Sequence, residues 1–550
     1  MTSDIKLKVS SHKKHWLFSP LATAGSLILL LVIILRIPSF VEPYWYGDEG
    51  IYLTIGTAMN NGAVLYKDII DHKTPLIYYF ARVGSQLSFR ILLTVWMATA
   101  SLAFFAILHR LTHRVWLSTG FASLFVIFTS LPFLEGNIPN GELFVMGFAL
   151  VGLWVFLRTD YGLDLLTKKA VTSSKLSKPS KSSLIYWVVA GCCMGGAILS
   201  KVPALFDAGA LFLIGWLAGW DAQLAKGWRF NGQWWRQVLI SWGFLAFGVA
   251  APVLLSILYF ISIGAGKEYL DFGLLYNFHY VQNWSIGHLP AWGQLFFTLP
   301  VKAAIVALAL IKLTLLGKWI ARPVRWATGW FYLALFASIL SNRPYPHYFL
   351  QVIPPLLLTI ALVTHELTAI DRESVKIINR LFTFAAAVTS VLVMAAVWYS
   401  LRIGHYPVVS YYESFINVAT KKTTPVEYRN SFNSYLDDNY AASEILKSSS
   451  EKKIFIWGTN PMLYALSGKQ PVGKFTVAFH IQDLNRYQET IDAVRTELPQ
   501  YIVVMKGESI VLPGLDNLLR SKYLKNRTFD HFTVWSRRSV TLPSQQRARR

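Results

Sequence analysis

From residue 20 to residue 401 the chain alternates long apolar runs with short polar segments. One helical crossing of a bilayer core takes about 20 apolar residues. By that measure the pattern predicts spans near 20–37, 89–108, 115–134, 142–158, 184–200, 203–220, 238–263, 293–313, 326–341, 346–365 and 379–401. The 184–220 stretch reads as a helical hairpin. No small-residue cleavage site follows the first run and further spans come after it, so it reads as a retained span rather than a signal.

The period changes after Leu401. A polar helix is predicted near 430–447, followed by a strand at KIFIWG (453–458) and a short helix PMLYALSG closed by Gly468. DLNRYQETIDAVRTELP (483–499) is amphipathic, YIVVMKG (501–507) is a buried-type strand, LDNLLRSKY is a helix and FDHFTVWSRR is a strand. Such alternation predicts a small α/β unit. The strand at 453 lacks the glycine-rich turn that lets a backbone approach a dinucleotide phosphate, so no nucleotide site is expected there. The expected organisation is a membrane domain at 1–401, with a first loop at 38–88, and an α/β domain at 402–550.

Composition agrees with the pattern. Of 550 residues, 54% are hydrophobic and 15% charged, where a soluble chain carries about a quarter charged. The chain is therefore expected to be a polytopic α-helical membrane protein of about eleven spans. A net charge of +22 would suit nucleic acid, but its placement excludes that partner. The basic residues fall in alternate short loops: Lys6–Lys14, Arg110/Arg114, Lys168–Lys181, Lys226–Arg236, Lys318–Arg325 and Arg372–Arg380. The positive-inside rule puts these in the cytoplasm, with the Ser/Lys stretch 167–183 as a flexible loop. The other loops carry Asp48, Glu49, Asp68, Asp71, Glu135, Glu142 and Asp271 and are expected outside. The reading is a multi-pass cell (inner or plasma) membrane protein with a cytoplasmic N-terminus and an extracytoplasmic α/β domain. Cys192 and Cys193, adjacent in an apolar span, form neither a disulfide framework nor a metal cluster and read as packing residues.

The stretch after the first span, YWYGDEGIYLTIGTAMNNGAVLYKDIIDHKTPL (44–76), carries more charge than a connecting loop needs. Ile51, Ile55 and Ala58 share one side of a predicted short helix that Asn61-Gly62 ends. Asp48 sits at the bilayer edge beside Tyr44, Trp45 and Tyr46, where an ionised carboxylate is costly and tends to be functional. Glu49 either positions Asp48, binds sugar, or simply complements a helix N-terminus. Asp68, Asp71 and His72 either do chemistry or hold a solvated loop.

This stretch resembles the first extracytoplasmic loop of the polyprenyl-phosphate-sugar-dependent glycosyltransferases. These are the superfamily of protein mannosyltransferases and aminoarabinose transferases, which share the membrane-embedded GT-C fold. The shared pattern is an Asp-Glu pair and Gly, then Leu-Tyr-x-Asp, then Lys-x-Pro-Leu, with Lys73-Thr74-Pro75-Leu76 where the family usually has Lys-Pro-Pro-Leu. NRPYPHYFLQVIPPL (342–356) is similar to the family's Arg…His-Tyr…Pro-Pro segment, and GCCMGGAILSKVPAL (191–205) to its Gly-rich helix ending in Lys. The match in order and topology extends over about 400 residues of a chain with about eleven spans.

The resemblance implies an inverting transfer of a sugar from a polyprenyl phosphate to an acceptor hydroxyl on a lipid-linked glycan, an envelope polysaccharide or a protein. It implies Asp48 as general base and Lys73 beside the lipid phosphate, although a lysine near a span end also snorkels to headgroups. Arg343 suits a second phosphate contact by its bidentate geometry, or anchors the interface. Lys201, between two spans, needs an anion, either Asp207 or the lipid phosphate. Glu142 binds acceptor or metal, or caps a helix. Tyr276, His279, Tyr280 and Trp284 suit sugar stacking or an interfacial aromatic belt, and Tyr345 and His347 belong to the second matching segment. His72, His279 and His347 would ligate a metal only if the fold brought them together. In the aminoarabinose branch an acid precedes the phosphate-binding lysine, and His72 replaces it here. No cofactor is demanded, and a divalent metal stays open. The alternatives in function are a transporter or flippase, against which the absence of matching halves speaks, and a noncatalytic assembly subunit.

Overall fold

Each apolar run forms a helix, and eleven membrane-length elements follow in the predicted order: Pro20–Arg36, Gln86–Thr112, Val115–Ser130, Gly141–Arg158, Lys181–Ser200, Leu205–Ala225, Gly232–Ser262, Leu299–Leu315, Arg322–Ser338, Ile353–Ala369 and Ile377–Ser400. The computed structural model describes residues 19–167, 180–225, 232–282, 284, 286–369 and 377–538. The basic N-terminus, most of the Ser/Lys loop, the segments 226–231 and 370–376, and the C-terminal RARR lie outside the described residues. Among the described residues, nine helices, some counted with the 3-10 turns continuous with them, are long and apolar enough to cross a membrane. The Val115–Ser130 helix of 16 residues and the Arg322–Ser338 helix of 17 fall outside that set.

The bundle has an inside and a lipid face. The Gly141–Arg158 and Ile353–Ala369 helices are mostly covered, whereas Gly232–Ser262, Leu299–Leu315 and Ile377–Ser400 expose Leu255, Leu308 and Leu392. The glycine-rich Lys181–Ser200 helix acts by close packing. A Cβ on Gly191 would stand 2.4 Å from the Leu245 carbonyl oxygen, and one on Gly195 2.6 Å from that of Val249. Small residues at these positions let the backbones of two helices approach, which drives association where no hydrophobic effect operates.

The first loop is itself folded. The helix Gly47–Asn60 begins earlier than predicted and takes Asp48 and Glu49 into its first turn, where the helix dipole favours negative charge. Ile51, Ile55 and Ala58 are all buried. This helix packs on the short helix Pro461–Ser467 of the C-terminal domain. A Cβ on Gly50 would lie 2.3 Å from Met462 Sδ and 2.8 Å from the Met462 backbone nitrogen, so glycine sets that approach. Ile70 joins the domain's apolar core, and its N–H donates to the Lys474 carbonyl at 2.9 Å. The first loop and the C-terminal domain therefore share one end of the bundle, as an odd number of crossings requires.

The domain is a five-stranded sheet of β1 (Lys453–Trp457), β2 (Gln470–Pro471), β3 (Tyr501–Met505), β4 (Tyr523–Thr528) and β5 (Phe532–Arg537), in the order β2-β1-β3-β5-β4. β1 runs parallel to β2 and β3, and β5 runs antiparallel to β3 and β4. Strand β4 was not predicted. It is an exposed edge carrying Lys525, Asn526 and Arg527, so it lacks the apolar alternation that announces a strand.

Candidate active site

Consecutive residues on a helix point about 100° apart, and this separates the Asp-Glu pair. Asp48 faces a cavity of about 830 Å³ at the seam of bundle, first loop and C-terminal domain. Glu49 faces inward, fully buried, and does not line that cavity. Arg90 donates to it at 2.8 and 2.7 Å and Gln86 at 3.0 Å. The same guanidinium reaches Glu42 at 2.7 Å. Of the roles open to Glu49, this burial and pairing favour positioning: its charge is engaged by Arg90 and Gln86 and fixes the helix that carries Asp48.

Lys73 Nζ stands 3.0 Å from Asp48 Oδ2 and 4.7 Å from the centroid of the Tyr52 ring. Tyr52 Oη donates to the same carboxylate oxygen at 3.2 Å. Partial desolvation pushes the Asp48 carboxyl upward, but Lys73 and His347 outweigh it and hold it below the ordinary range. The lysine backbone is pinned on both sides: Tyr66 Oη donates to its carbonyl at 2.7 Å, and its N–H donates to Tyr78 Oη at 3.2 Å.

Two further cations reach the cavity. Lys201 is paired with Glu142, and its ammonium lies 3.9 Å from the centre of the Tyr348 ring. The expected alternative, Asp207, is engaged elsewhere, accepting from Trp330 Nε1 at 2.7 Å and from Gln351. Arg343 stacks on Tyr280 at 4.0 Å and Trp284 at 5.1 Å. Among the described residues it pairs with no carboxylate, and its buried Nε has no hydrogen-bond partner. A half-buried guanidinium without a carboxylate partner, facing a cavity, suits an anion, which it can meet with two parallel donors.

Opposite these, His347 pairs with Glu135, and Tyr46 Oη donates to the same Glu135 oxygen at 2.6 Å. Burial and Glu135 together hold the Tyr46 phenol well above its ordinary pKa, so it stays a donor. Tyr345 stacks on the His347 ring at 5.6 Å between centroids.

At the domain seam, Asp71 is buried and accepts from Tyr78 Oη at 2.7 Å. Burial raises its pKa, but His72 and Lys73 lower it further and keep it ionised. His72 and His480 both face Asp71. Of the predicted histidine trio, His72 and His347 line the cavity, and the His279 side chain lies outside the described residues. The cluster with metal-ligand spacing is instead Asp71, His72 and His480. Tyr276 lines the cavity and donates to Asp483 at 3.1 Å.

Leu205, Phe206, Leu299 and Phe336 of the bundle also line the cavity, and Leu205 and Leu299 are exposed at the surface as well. Thr459, Phe479 and Asp483 line it from the C-terminal domain. Sequence reasoning passed over Glu135 as a site residue, and it missed Tyr46, Tyr348 and His480. Tyr348 meets Tyr280 68 positions away, Tyr46 meets Glu135 89 away, Glu135 meets His347 212 away and His480 meets His72 408 away, and no local spacing reveals such pairs.

No family model matches the sequence, and no curated protein does. Among solved structures the chain is similar to ArnT from Cupriavidus metallidurans bound to undecaprenyl phosphate, with a TM-score of 0.52 and 14% identity over 94% of this chain and 98% of ArnT. The apo state of that protein gives 0.50 at 14% identity, with the same coverage. The archaeal oligosaccharyltransferase AglB from Archaeoglobus fulgidus gives 0.42 at 13% identity over 98% of this chain and 76% of AglB. At such identity the ArnT likeness is one of backbone, and it establishes that the chain has the GT-C fold of membrane glycosyltransferases.

Proposed function

We propose that this protein transfers a glycosyl unit from a polyprenyl phosphate to an acceptor hydroxyl, with inversion, on the extracytoplasmic face of a cell membrane. One observation carries the reading: a single cavity joins the Asp48 carboxylate, the cations Lys73, Lys201 and Arg343, and apolar residues of which Leu205 and Leu299 are exposed on the bundle surface. A membrane-tethered phosphate needs that combination. Its prenyl chain stays in lipid along Leu205 and Leu299 while its phosphate is drawn to unpaired Arg343. The ArnT structure, which contains undecaprenyl phosphate, supports this donor class.

In the free protein Lys73 is held by Asp48. A donor phosphate competes for that ammonium, and Asp48 then loses the counter-ion that depresses its pKa. The carboxylate becomes a better base as the acceptor hydroxyl arrives. The hydroxyl oxygen attacks the anomeric carbon, its proton passes to Asp48, and the bond to the phosphate oxygen breaks. The departing phosphate is neutralised by Arg343 and Lys73, where charge develops in the transition state. Lys201 contributes by exchanging Glu142 for the phosphate. The wall of Thr459, Phe479 and Asp483 faces the acceptor side, whether that acceptor is a glycan, a lipid or a protein.

The test is binding of a long-chain polyprenyl phosphate to the purified protein in lipid nanodiscs. Arg343→Ala and Lys73→Ala should each weaken it tenfold or more, and neutral polyprenol should bind far less tightly. Equal binding of the alcohol and the phosphate would contradict the reading.

A further inference from the structure

Lys302 lies in the first turn of the Leu299–Leu315 helix, where Leu299 and Ile305 are exposed, yet Lys302 itself is only 4% exposed. Its ammonium has three protons and gives one to each of three acceptors. These are the Ile339 carbonyl at 2.6 Å, the Leu340 carbonyl at 3.0 Å and Asn342 Oδ1 at 2.9 Å. All three are neutral, and among the described residues no carboxylate pairs with Lys302. An ionisable side chain inside a membrane domain is costly, and one without a counter-ion points to function.

The turn that Lys302 holds leads directly to Arg343. Asn342 takes the left-handed conformation at φ 55°, which its short polar side chain tolerates. That side chain is tied on both sides, accepting from Lys302 and donating to the Phe297 carbonyl at 3.1 Å. Leu340, Ser341 and Arg343 line the cavity, and Lys302 does not. Among the described residues the Arg343 side chain makes no hydrogen bond, so stacking and the placement of its backbone decide where its donors point. The Arg322–Ser338 helix also ends at this turn. A helix C-terminus carries about half a negative charge, which opposes an anion in the cavity. Lys302 sets a full positive charge on the carbonyls just beyond that end.

We propose that Lys302 is a positioning residue for the donor phosphate, acting on the 339–342 turn rather than on the ligand. Its hydrogen bonds fix the backbone from which Arg343 reaches across Tyr280, and its charge offsets the negative helix end beside the cavity. Without it, two carbonyls lose their donor, the turn can tilt, and the flat guanidinium loses its alignment for a bidentate phosphate contact. The inference rests on the reading of Arg343 as a phosphate ligand.

The test is a double-mutant cycle on the full chain in lipid nanodiscs, read as binding of a long-chain polyprenyl phosphate and of the neutral polyprenol. Lys302→Met should weaken phosphate binding about tenfold and leave polyprenol binding unchanged. In an Arg343→Ala background the same change should cost less than threefold, because the residue it positions is gone. Lys302→Gln keeps two N–H donors for the turn and drops the charge. It should melt near wild type yet bind the phosphate at least threefold more weakly, and it carries the test where Lys302→Met fails to fold. Wild-type phosphate binding by the folded variants overturns the proposal. So does an equal loss for phosphate and alcohol, which marks a merely structural lysine, and so does a full tenfold loss in the Arg343→Ala background. Unchanged phosphate binding by Arg343→Ala alone would instead remove the reading of Arg343, and this inference with it.

Discussion

Lys73 Nζ and Asp48 Oδ2 stand 3.0 Å apart at the edge of a cavity that also holds an unpaired guanidinium. The free protein thus keeps its proposed base paired with one of its proposed phosphate ligands. Donor binding and base activation become the same event, because the phosphate takes the lysine that depresses Asp48.

This exchange has a pH signature. The pH profile of kcat/KM reports the free enzyme, and that of kcat the donor-loaded one. Asp48 is held below the ordinary carboxylate range while Lys73 is its partner. The acid limb of kcat/KM should therefore lie at lower pH than the acid limb of kcat. Coincident limbs would mean that Lys73 stays on Asp48 throughout.

Arg343 should not tolerate exchange for lysine. Its flat guanidinium stacks on Tyr280 and Trp284, and it offers two parallel donors to a phosphate. Arg343→Lys keeps the charge and loses both. Donor KM should rise about tenfold, the equivalent of about 1.4 kcal/mol, with little change in thermal stability. A KM unchanged by Arg343→Lys would reduce Arg343 to an interface anchor.

Arg90 should matter for folding. It is buried between Glu42 and Glu49, and its removal leaves two uncompensated carboxylates. Breaking a buried pair in this way costs about 3–5 kcal/mol. Arg90→Ala should fall sharply in detergent melting temperature and yield. Glu49→Gln should lose stability too, yet its folded fraction should turn over within a few-fold of wild type. A folded Glu49→Gln protein without turnover would return Glu49 to the chemistry.

Gly50 sets how closely the C-terminal domain sits. Any side chain there meets the Met462 backbone nitrogen at 2.8 Å, and overpacking of this kind costs about 1–3 kcal/mol. Gly50→Val should expose residues 402–424 to protease and lower turnover without unfolding the bundle. Unchanged protease resistance would show that the seam can yield.

The membrane helices were legible because each apolar run is long and its flanks are charged. The Arg322–Ser338 helix was also found, although Arg322 and Arg325 lie buried on it, held by Asp221. Strand β4 escaped because an exposed edge carries no apolar alternation. Asp48 and Lys73 could be read because a single loop carries both. The role of Glu49 stayed open in the sequence because two adjacent acids look alike there, and the helical turn separates their faces. Glu135 and His347 are 212 positions apart, and His72 and His480 are 408 apart, so their pairing belongs to the fold.

The central claim is that Asp48 takes the acceptor proton in a transfer from a polyprenyl phosphate. The direct measurement is donor consumption by reconstituted protein, across a panel of polyprenyl-phosphate sugars and acceptors, comparing wild type with Asp48→Asn. Loss of a general base should slow turnover by about 10²–10⁴-fold, while polyprenyl phosphate still binds. Turnover by Asp48→Asn equal to wild type would remove Asp48 as the base, and a panel with no consumption by the wild type would contradict the transferase account.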